Sequence, residues 1–455
     1  MREVNGKHIV VLGAARSGIA AAKLLKRKGA IVFVSEKTSQ ADKRIEAQIL
    51  KDEKIEFEFG GHSEKIYQSD LAVLSPGIPS STEEILQFQR IGIPLFSELE
   101  IASWFCTANL IAVTGSNGKT TTTTLLGALL QTRWPDAVVA GNIGIPLSQQ
   151  VDQSLPDTWG VVEVSSFQLE FIDSFHPKIV ILLNLSPNHL DRYEDYKAYT
   201  HAKLGILKNI SAMDYVIGNR DDPLIYEAVK RAGARKYYFS STDGAAQAGL
   251  SQDNLILNGI KLISLEKIAL KGIHNYMNCM AAVLAAEIAG ISRDTMKEIL
   301  SGFSGVEHRL EKAGCVNEIT FINDSKSTTV ESLRVALMSF KQPIHLIAGG
   351  RDKGGDFSEL AGLIKEKVSS IQIIGEARNK IIKSWQTVLD NSSISMPATL
   401  DEAVHAAYGQ ANAGDIVLFS PACASFDMFR NYEERGKTFK ALVNALKEEN
   451  EKKNK

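Results

Sequence analysis

Short, fully apolar runs separated by helix-length segments recur along this chain of 455 residues. The first region, HIVVLGAARSGIAAAKLLKRKGAIVFVSE at residues 8–36, predicts a strand, a glycine turn, a helix of about three to four turns and a second strand. Similar runs, typical of buried parallel strands, begin again near Leu110 and near Pro343. Strands that alternate with helices predict an α/β fold with parallel sheets, in which the loops after the strands carry the chemistry.

The length of the chain predicts three domains, because one domain usually takes about 100–200 residues. A boundary is expected just before the strand that begins near Leu110, and another after the helical run NYMNCMAAVLAAEIAG. The predicted domains are residues 1–107, 108–307 and 308–455.

Composition and charge restrict the possible partners. The formal net charge is −2, so the chain as a whole attracts neither nucleic acid nor an anionic membrane, and any phosphate site must be local. The four cysteines form no ligand-spaced cluster and are expected to be reduced and buried. We expect no signal segment, and the sequence contains no apolar run of about 18–20 residues. We expect a cytoplasmic monomer without membrane insertion and without a nucleic-acid partner.

The first glycine turn leaves three interpretations open. Gly13, Ala15 and Gly18 occupy the positions of a G-x-G-x-x-G loop, and Ala15 stands where the middle glycine would let the backbone approach a pyrophosphate. Glu36 ends the second strand, where NAD enzymes place a ribose-binding acid. The unit could therefore bind NAD, serve only for packing, or hold another diphosphate at its helix N-terminus. The turn SPGIP at residues 75–79 could line the same pocket.

A second loop, TGSNGKTT at residues 114–121, resembles a phosphate-binding P-loop. Val113 replaces the first glycine of the full pattern, but a strand precedes the loop and a helix follows it. Loop amides and a helix N-terminus suit an anion, Lys119 supplies a positive charge, and the Thr120 hydroxyl can reach Mg²⁺. The segment therefore predicts a nucleotide-triphosphate site with a metal.

Three further residues are candidates by position. Glu163 lies within an otherwise apolar strand, so its carboxylate should be paired or bound to a metal. His189 follows a strand and a turn, at the rim where ligands bind. Lys203 lies on the following helix and, from the pattern alone, is interpreted as a surface lysine.

Eight motifs, spread over essentially the whole chain, resemble those of the Mur ligases, ATP-dependent enzymes of peptidoglycan-precursor synthesis. They are TGSNGKTT, GNIG (141–144), EVSSFQLE, NHLDRY, HNYMNC (274–279), EHRLE (307–311), NDSKST (323–328) and SPACASFD (420–427). The resemblance is strongest to the branch that adds D-glutamate to UDP-N-acetylmuramoyl-L-alanine. It implies a Rossmann-like domain for the UDP-sugar, a P-loop-type central domain for ATP and a Rossmann-like C-terminal domain for the amino acid.

The resemblance also implies roles for individual residues. Those implied for ATP are Gly115, Ser116, Asn117, Gly118, Lys119, Thr120, Thr121, Asn275, Asn278, His308, Arg309 and Asp324. Those implied for the UDP-substrate are Arg16, Ser17, Lys37, Ser75, Pro76, Gly77, Asn142, Ser165 and His189. Those implied for D-glutamate are Thr328, Lys353, Ser425, Phe426 and Tyr432. The catalytic set is Lys119, Glu163, His189, Lys203 and Lys326.

Two magnesium ions, with Mn²⁺ as an alternative, are implied as cofactors beside ATP. One ion is expected on Thr120 and Glu163, and the other on His189 and Lys203. For the latter role the Lys203 amine is expected to carry a carbamate formed from CO₂. The implied chemistry is phosphorylation of a carboxylate by ATP to an acyl phosphate, which the amine of D-glutamate then attacks.

Other functions remain as alternatives. A sister Mur ligase would add L-alanine, a diamino acid or a dipeptide, and folylpolyglutamate synthase shares the phosphate loop but lacks a UDP domain. From a different class, the chain could be a nucleotide switch without an amine acceptor, or an NAD-binding regulator, which Ala15 disfavours.

Overall fold

The strands of this protein form three separate sheets. The computed structural model describes residues 3–142, 144–187, 192–303, 305, 307–352 and 355–453. The sheets contain five, nine and six strands in chain order, and the chain divides into two compact units, Met1–Phe303 and Ser304–Lys455. The α/β fold class with parallel sheets is confirmed.

The first sheet is parallel, in the order β3-β2-β1-β4-β5. Its strands are β1 (His8–Leu12), β2 (Ile31–Glu36), β3 (Glu56–Phe59), β4 (Leu71–Leu74) and β5 (Leu95–Ser97). Its helices are α1 (Arg16–Arg27), α2 (Arg44–Asp52), α3 (Glu83–Arg90) and α4 (Glu98–Ser103). Because the strand order reverses between β1 and β4, the loops after these two strands border the crevice in which such sheets bind ligands.

The central sheet has the order β14-β13-β12-β11-β10-β9-β6-β8-β7. Its strands are β6 (Asn109–Thr114), β7 (Val139–Gly141), β8 (Trp159–Glu163), β9 (Ile179–Leu182), β10 (Tyr215–Asn219), β11 (Arg235–Ser240), β12 (Ala248–Ser251), β13 (Asn254–Leu257) and β14 (Ile260–Ser264). Its helices are α5 (Lys119–Gln131), α6 (Leu147–Gln150), α7 (Ser166–Leu169), α8 (Tyr196–Leu204), α9 (Pro223–Arg231), α10 (Ile273–Ile288) and α11 (Arg293–Gly302). The strands from β7 to β12 are parallel, and β12 to β14 form an antiparallel meander.

The third sheet has the order β15-β16-β20-β17-β18-β19, with only β15 antiparallel to its neighbour. Its strands are β15 (Glu311–Val316), β16 (Ile319–Asn323), β17 (Ile344–Gly349), β18 (Val368–Ile374), β19 (Ile394–Ser395) and β20 (Ile416–Phe419). Its helices are α12 (Val330–Met338), α13 (Ala361–Lys367), α14 (Arg378–Trp385), α15 (Leu400–Gln410) and α16 (Tyr432–Lys453).

The hydrophobic cores follow the two units rather than the three sheets. One cluster runs without a break from Val4 in the first-sheet region to Val229 in the central region. Other clusters lie wholly within residues 10–303 or within residues 310–446. The predicted boundary near residue 107 thus coincides with a change of sheet inside one continuous core, and the three predicted domain ranges remain predictions.

The cysteines differ in their exposure. Cys279 and Cys423 are buried as expected, whereas Cys106 is half-buried and Cys315 is exposed. The expectation of four buried cysteines was therefore wrong for Cys315, which lies on the strand β15 at the edge of its sheet. Within the described ranges, no helix combines the length and the apolarity that crossing a membrane requires.

Candidate active site

The phosphate loop connects β6 to the N-terminus of α5. Gly118 is in the left-handed region with φ 83° and is the residue that precedes α5. A Cβ at this position would lie 2.3 Å from Oδ1 of Asn278, a residue of α10, so only glycine allows this close approach. Lys119 donates from Nζ to the carbonyls of Gly115 and Ser116 at 2.8 and 2.9 Å, which holds the ammonium over the loop. The loop thus has the cradle, the charge and the helix N-terminus that a nucleotide phosphate requires.

Residues outside the predicted set fix the shape of this loop. The Asn117 N–H donates to Oδ1 of Asn184 at 2.8 Å, and the Asn184 amide donates to the Asn117 carbonyl at 3.0 Å. The Ser116 and Tyr199 hydroxyls lie 2.9 Å apart, and burial raises the pKa of Tyr199 to about 12. Asn184 and Tyr199 were not among the residues predicted from the sequence. The sequence signal for Asn184 is its place two residues after the buried strand β9, where ligand-binding loops begin.

Beside the loop, Glu163 occupies the end of β8 and is 2% exposed. Its Oε2 accepts a hydrogen bond from the Thr120 hydroxyl at 2.8 Å, and its Oε1 accepts one from the Asn142 amide at 3.0 Å. The prediction was that this carboxylate is paired or bound to a metal, and the structure shows it hydrogen-bonded to two neutral side chains. A carboxylate and a hydroxyl side by side under a phosphate loop are the hard oxygen donors that suit Mg²⁺. Among the described residues, no group of three or more His, Cys, Asp or Glu side chains is arranged to hold a metal ion.

Lys203 does not lie on the surface, and the interpretation from its pattern was wrong. The side chain is 2% exposed on α8, with its Nζ 5.0 Å from the ring centroid of Tyr199. Burial, followed by the charge of Lys119, lowers the pKa of Lys203 well below its usual value, although Glu163 acts in the opposite direction. Both Lys119 and Glu163 therefore act electrostatically on this amine, and the structure brings these three predicted residues into one site.

The crevice of the first sheet is narrow where β1 and β4 end. The Ser75 hydroxyl donates to the Gly13 carbonyl at 3.0 Å, and a Cβ at Gly18 would lie 1.9 Å from that same oxygen. Glu36 accepts hydrogen bonds from the Ala14 and Thr38 N–H groups at 2.7 and 2.8 Å. Burial raises the pKa of Glu36, but these N–H groups outweigh burial and hold it below its usual value. The acid is thus bonded to the turns themselves, which disfavours a role in binding a ribose.

Of the other described residues predicted for the UDP-substrate, Arg16 and Ser17 lie in α1, Lys37 follows β2, Pro76 and Gly77 follow β4, Asn142 follows β7, and Ser165 follows β8. Arg16, at the first position of α1, donates from Nη1 to the Gly144 carbonyl at 2.5 Å. Ser17 is half-buried and Lys37 is exposed. Ser165 caps α7, since its hydroxyl accepts from the Gln168 N–H at 3.4 Å. Its hydroxyl therefore has a structural role in the helix start.

In the second unit, Asp324, Lys326 and Thr328 follow the carboxyl end of β16, and Ser425 and Phe426 follow that of β20. Asp324 is buried, and its carboxylate accepts from the Ser420 hydroxyl at 2.7 Å and from the Leu310 N–H at 3.2 Å. Burial raises the pKa of Asp324 to about 6. Ser425 is buried and Phe426 is exposed in the loop after β20, while Thr328 is half-buried before α12.

Two further predicted residues surround Tyr432, the first residue of α16. Nζ of Lys326 lies 5.5 Å from the ring centroid of Tyr432, and the ring of His308 lies 6.4 Å from it. His308 is 2% exposed with φ 64°, and burial lowers its pKa. Arg309 is half-buried beside it and acts electrostatically on Asp324.

Arg435 was missed by the sequence analysis, although it connects the two loops of this unit. Its guanidinium is 1% exposed and donates to the Ser325 hydroxyl and carbonyl at 3.0 and 2.7 Å. A third bond of 3.1 Å goes to the Cys423 carbonyl. Burial lowers the pKa of Arg435 to about 10. In a helix as rich in charge as α16, a single arginine looks like any surface residue, so no pattern distinguished it.

Three other predicted residues, Thr121, Asn275 and Asn278, lie on the helices α5 and α10. Asn278 is buried against Gly118 as described, and Asn275 donates from its amide to the Lys271 carbonyl at 2.8 Å. Thr121 is buried within the first turn of α5. His189 and Lys353 lie outside the described residues.

All three regions match domains of one protein family. Residues 8–84 match the MurD N-terminal domain, residues 113–286 the Mur ligase middle domain, and residues 308–423 the Mur ligase glutamate ligase domain. The UDP-N-acetylmuramoylalanine–D-glutamate ligase of Salinibacter ruber is 41% identical over 98% of this chain and 99% of its own length. The enzyme of the same name from Chloroherpeton thalassium is 41% identical over 97% of this chain and 98% of its own.

Solved structures show the same fold. The UDP-N-acetylmuramate–alanine ligase of Thermotoga maritima aligns with a TM-score of 0.63 at 19% identity, covering 97% of this chain and 100% of that chain. A MurF ligase from Thermotoga maritima, solved in complex with ADP, aligns with a TM-score of 0.60 at 15% identity, covering 97% of this chain and 96% of that chain.

The fold, the phosphate loop and the relatives together define a nucleotide-dependent ligase of the α/β class with three β-sheets. The chain belongs to the Mur ligase family. As a member of that family it is an ATP-dependent enzyme that forms an amide bond.

Proposed function

We propose that this enzyme joins the amino group of D-glutamate to the carboxylate of UDP-N-acetylmuramoyl-L-alanine, with ATP converted to ADP and phosphate. The proposal rests on identity of about 41%, over nearly the full length, to enzymes named UDP-N-acetylmuramoylalanine–D-glutamate ligase. It is supported by Thr120, Glu163 and Asn142, which form one hydrogen-bonded group beside the phosphate loop. The expected cytoplasmic, monomeric state is part of the same proposal.

The chemistry requires a carboxylate to approach a highly charged triphosphate. ATP phosphorylates the carboxylate, the amine of D-glutamate attacks the acyl phosphate, and inorganic phosphate leaves from the tetrahedral intermediate. In this proposal, Lys119 neutralises charge on the transferred phosphoryl group, and the phosphate loop orients that group. Bound Mg²⁺ would supply further neutralisation of the phosphate charge.

The side chains that would hold the metals are Thr120, Glu163, His189 and Lys203. Thr120 fits as a neutral oxygen donor, and Glu163 fits as an anionic oxygen donor. Lys203 fits only as a carbamate, because an ammonium cannot bind a cation, and its burial favours the neutral amine that reacts with CO₂. Both magnesium ions and this carbamate are proposals.

For the substrates, we propose that the turns after β1 and β4 hold the UDP end, with Arg16, Ser17, Lys37, Ser75, Pro76 and Gly77 around it. Asn142, Ser165 and His189 are assigned to the muramoyl-peptide side. In the second unit, Thr328, Lys353, Ser425, Phe426 and Tyr432 are assigned to D-glutamate, and Lys326, Asp324, His308 and Arg309 to the ATP side. Asn275 and Asn278 are assigned to the nucleoside of ATP.

The test is phosphate release from ATP with UDP-N-acetylmuramoyl-L-alanine and a panel of amines: D-glutamate, L-glutamate, L-alanine, glycine and a diamino acid. Release that depends on D-glutamate supports the proposal. Release that depends on another amine identifies a sister ligase, and release without any amine dependence contradicts ligation by this chain.

A further inference from the structure

Within the first compact unit, the Arg192 side chain connects the turn after β4 of the first sheet with α7 of the central region. Its Nη1 donates to the Pro76 carbonyl at 2.7 Å, and its Nη2 donates to the Ile78 carbonyl at 2.9 Å. Both carbonyls belong to the turn at residues 75–79 that follows β4 and borders the first-sheet crevice. The planar fork of an arginine can bind two carbonyls at once, which the single ammonium of a lysine cannot do with the same geometry.

Side chains of the central region hold the same guanidinium from its other side. The guanidinium carbon of Arg192 lies 3.9 Å from the ring centroid of Phe167, a residue of α7. Oε2 of Glu170, directly after α7, lies 3.6 Å from Nη2, and the Arg192 side chain is 10% exposed. A cation over an aromatic face gains more when it is removed from water, so this contact is stronger than a surface ion pair.

The contacts continue from Arg192 to the phosphate loop. The ring of Phe167 stacks on Tyr193 with centroids 6.0 Å apart, and Tyr193 packs edge-on against Tyr199 at 5.5 Å. The Tyr199 hydroxyl lies 2.9 Å from that of Ser116 in the phosphate loop. Packed side chains therefore connect the 75–79 turn with the phosphate loop without interruption.

We infer that Arg192 is a positioning residue of the reaction. It fixes the 75–79 turn, and with it the diphosphate end of the muramoyl substrate, at a set distance from the phosphate loop. This inference rests on the proposed function, because it requires that turn to border the UDP site. A misplacement of about 1 Å in a bound reactant can lower the rate by about 100-fold, so a residue that sets this spacing affects turnover without touching a reacting atom.

The test compares Arg192→Lys with Arg220→Lys in the full-length protein. Arg220 is a matched control, because it also pairs with a carboxylate, Asp243 at 2.7 Å, and lies 5.6 Å from an aromatic centroid, that of Tyr226. We expect Arg192→Lys to weaken UDP binding in calorimetry by at least about fivefold and to lower kcat/KM for the muramoyl substrate by about 10- to 100-fold. Binding of a non-hydrolysable ATP analogue should stay within about twofold, and Arg220→Lys should behave as the wild type.

A second variant separates positioning from folding. Arg192→Ala should recover UDP affinity when methylguanidinium is added, whereas methylammonium should not restore it, since only the planar fork reaches both carbonyls. UDP binding by Arg192→Lys equal to that of Arg220→Lys would overturn the inference, as would equal weakening of UDP and of the ATP analogue. If the wild type binds UDP but shows no D-glutamate-dependent phosphate release, the proposed function fails while the UDP comparison still decides the role of Arg192.

Discussion

Lys203 shows how far the surroundings of one residue determine its chemistry. An amine on α8 that is 2% exposed has lost most of its hydration, and Lys119 adds a like charge nearby. Both effects favour the neutral amine, which is the form that attacks CO₂. Lys197 lies on the same helix but is exposed, so its amine keeps its hydration and serves as a control.

We expect Lys203→Ala to lower the rate of D-glutamate-dependent phosphate release by at least about 100-fold, because a proposed metal ligand is lost. A small carboxylate such as formate or acetate should restore part of the rate, since it can supply the missing oxygens. In the wild type, ¹³C-bicarbonate should give a carbamate NMR signal that is absent from Lys203→Ala. A fully active Lys203→Ala, or a carbamate signal that persists in it, contradicts the assignment. Lys197→Ala should behave as the wild type in both assays.

Some functional side chains could be predicted from the sequence pattern, and others could not. Glu163 was identified as a candidate because a carboxylate interrupts an apolar strand, and the structure shows it buried and hydrogen-bonded to Thr120 and Asn142. Lys203, Arg192 and Arg435 could not be identified from the pattern, because charged residues in helices and loops usually face water. Their burial depends on contacts with distant parts of the chain, such as Pro76 for Arg192, and no local pattern contains those contacts.

The helix α5 begins at the phosphate loop, and its middle packs closely against β7. Gly127 lies in α5, and a Cβ there would come within 2.7 Å of Cγ2 of Val139, the first residue of β7. Valine is stiff at χ1, so it cannot turn away without moving the strand. The close contact fixes the distance between α5 and β7, and β7 leads directly into the loop that carries Asn142.

We expect Gly127→Ala to lower the free energy of unfolding by about 1–3 kcal/mol, because overpacking outweighs the gain in helix propensity. Gly302, the last residue of α11, is the control, since a Cβ there meets no atom within 4 Å. Gly302→Ala should leave stability unchanged or raise it by up to about 1 kcal/mol. Urea unfolding of both variants measures the difference, and equal stabilities would show that the contact with Val139 relaxes at no cost.

The elements with regular apolar runs were predictable, and the short irregular ones were not. β1, β6, β9 and β17 are buried parallel strands whose residues are almost all apolar, so their type followed directly from the sequence. The antiparallel meander of β12–β14 was not predicted, because its strands mix buried positions with half-buried or exposed ones and form no continuous apolar run. β12 is defined by its pairing with β11, and β13 and β14 by pairing with the strand before them, so all three depend on contacts that no single segment contains.

For the whole molecule, the separation of the hydrophobic cores suggests two cooperative units. In the described parts of the chain, each unit has its own clusters of buried hydrophobic residues. Units with separate cores can unfold in separate steps, and a ligand stabilises only the unit that binds it. In the proposed function, the turns that bind UDP lie entirely within the first unit.

We therefore expect calorimetry of the full-length protein to show two unfolding transitions, of which UDP raises only one. At a UDP concentration of about 100 times Kd, the first unit should gain about 2.7 kcal/mol. Of the four tryptophans, only Trp385 lies in the second unit, where it is fully buried and donates to the Phe357 carbonyl at 2.8 Å. In Trp385→Phe, tryptophan fluorescence reports the first unit alone, so the transition seen by fluorescence should be the one that UDP shifts. A single transition, or an equal shift of both by UDP, would show instead that the two cores unfold as one.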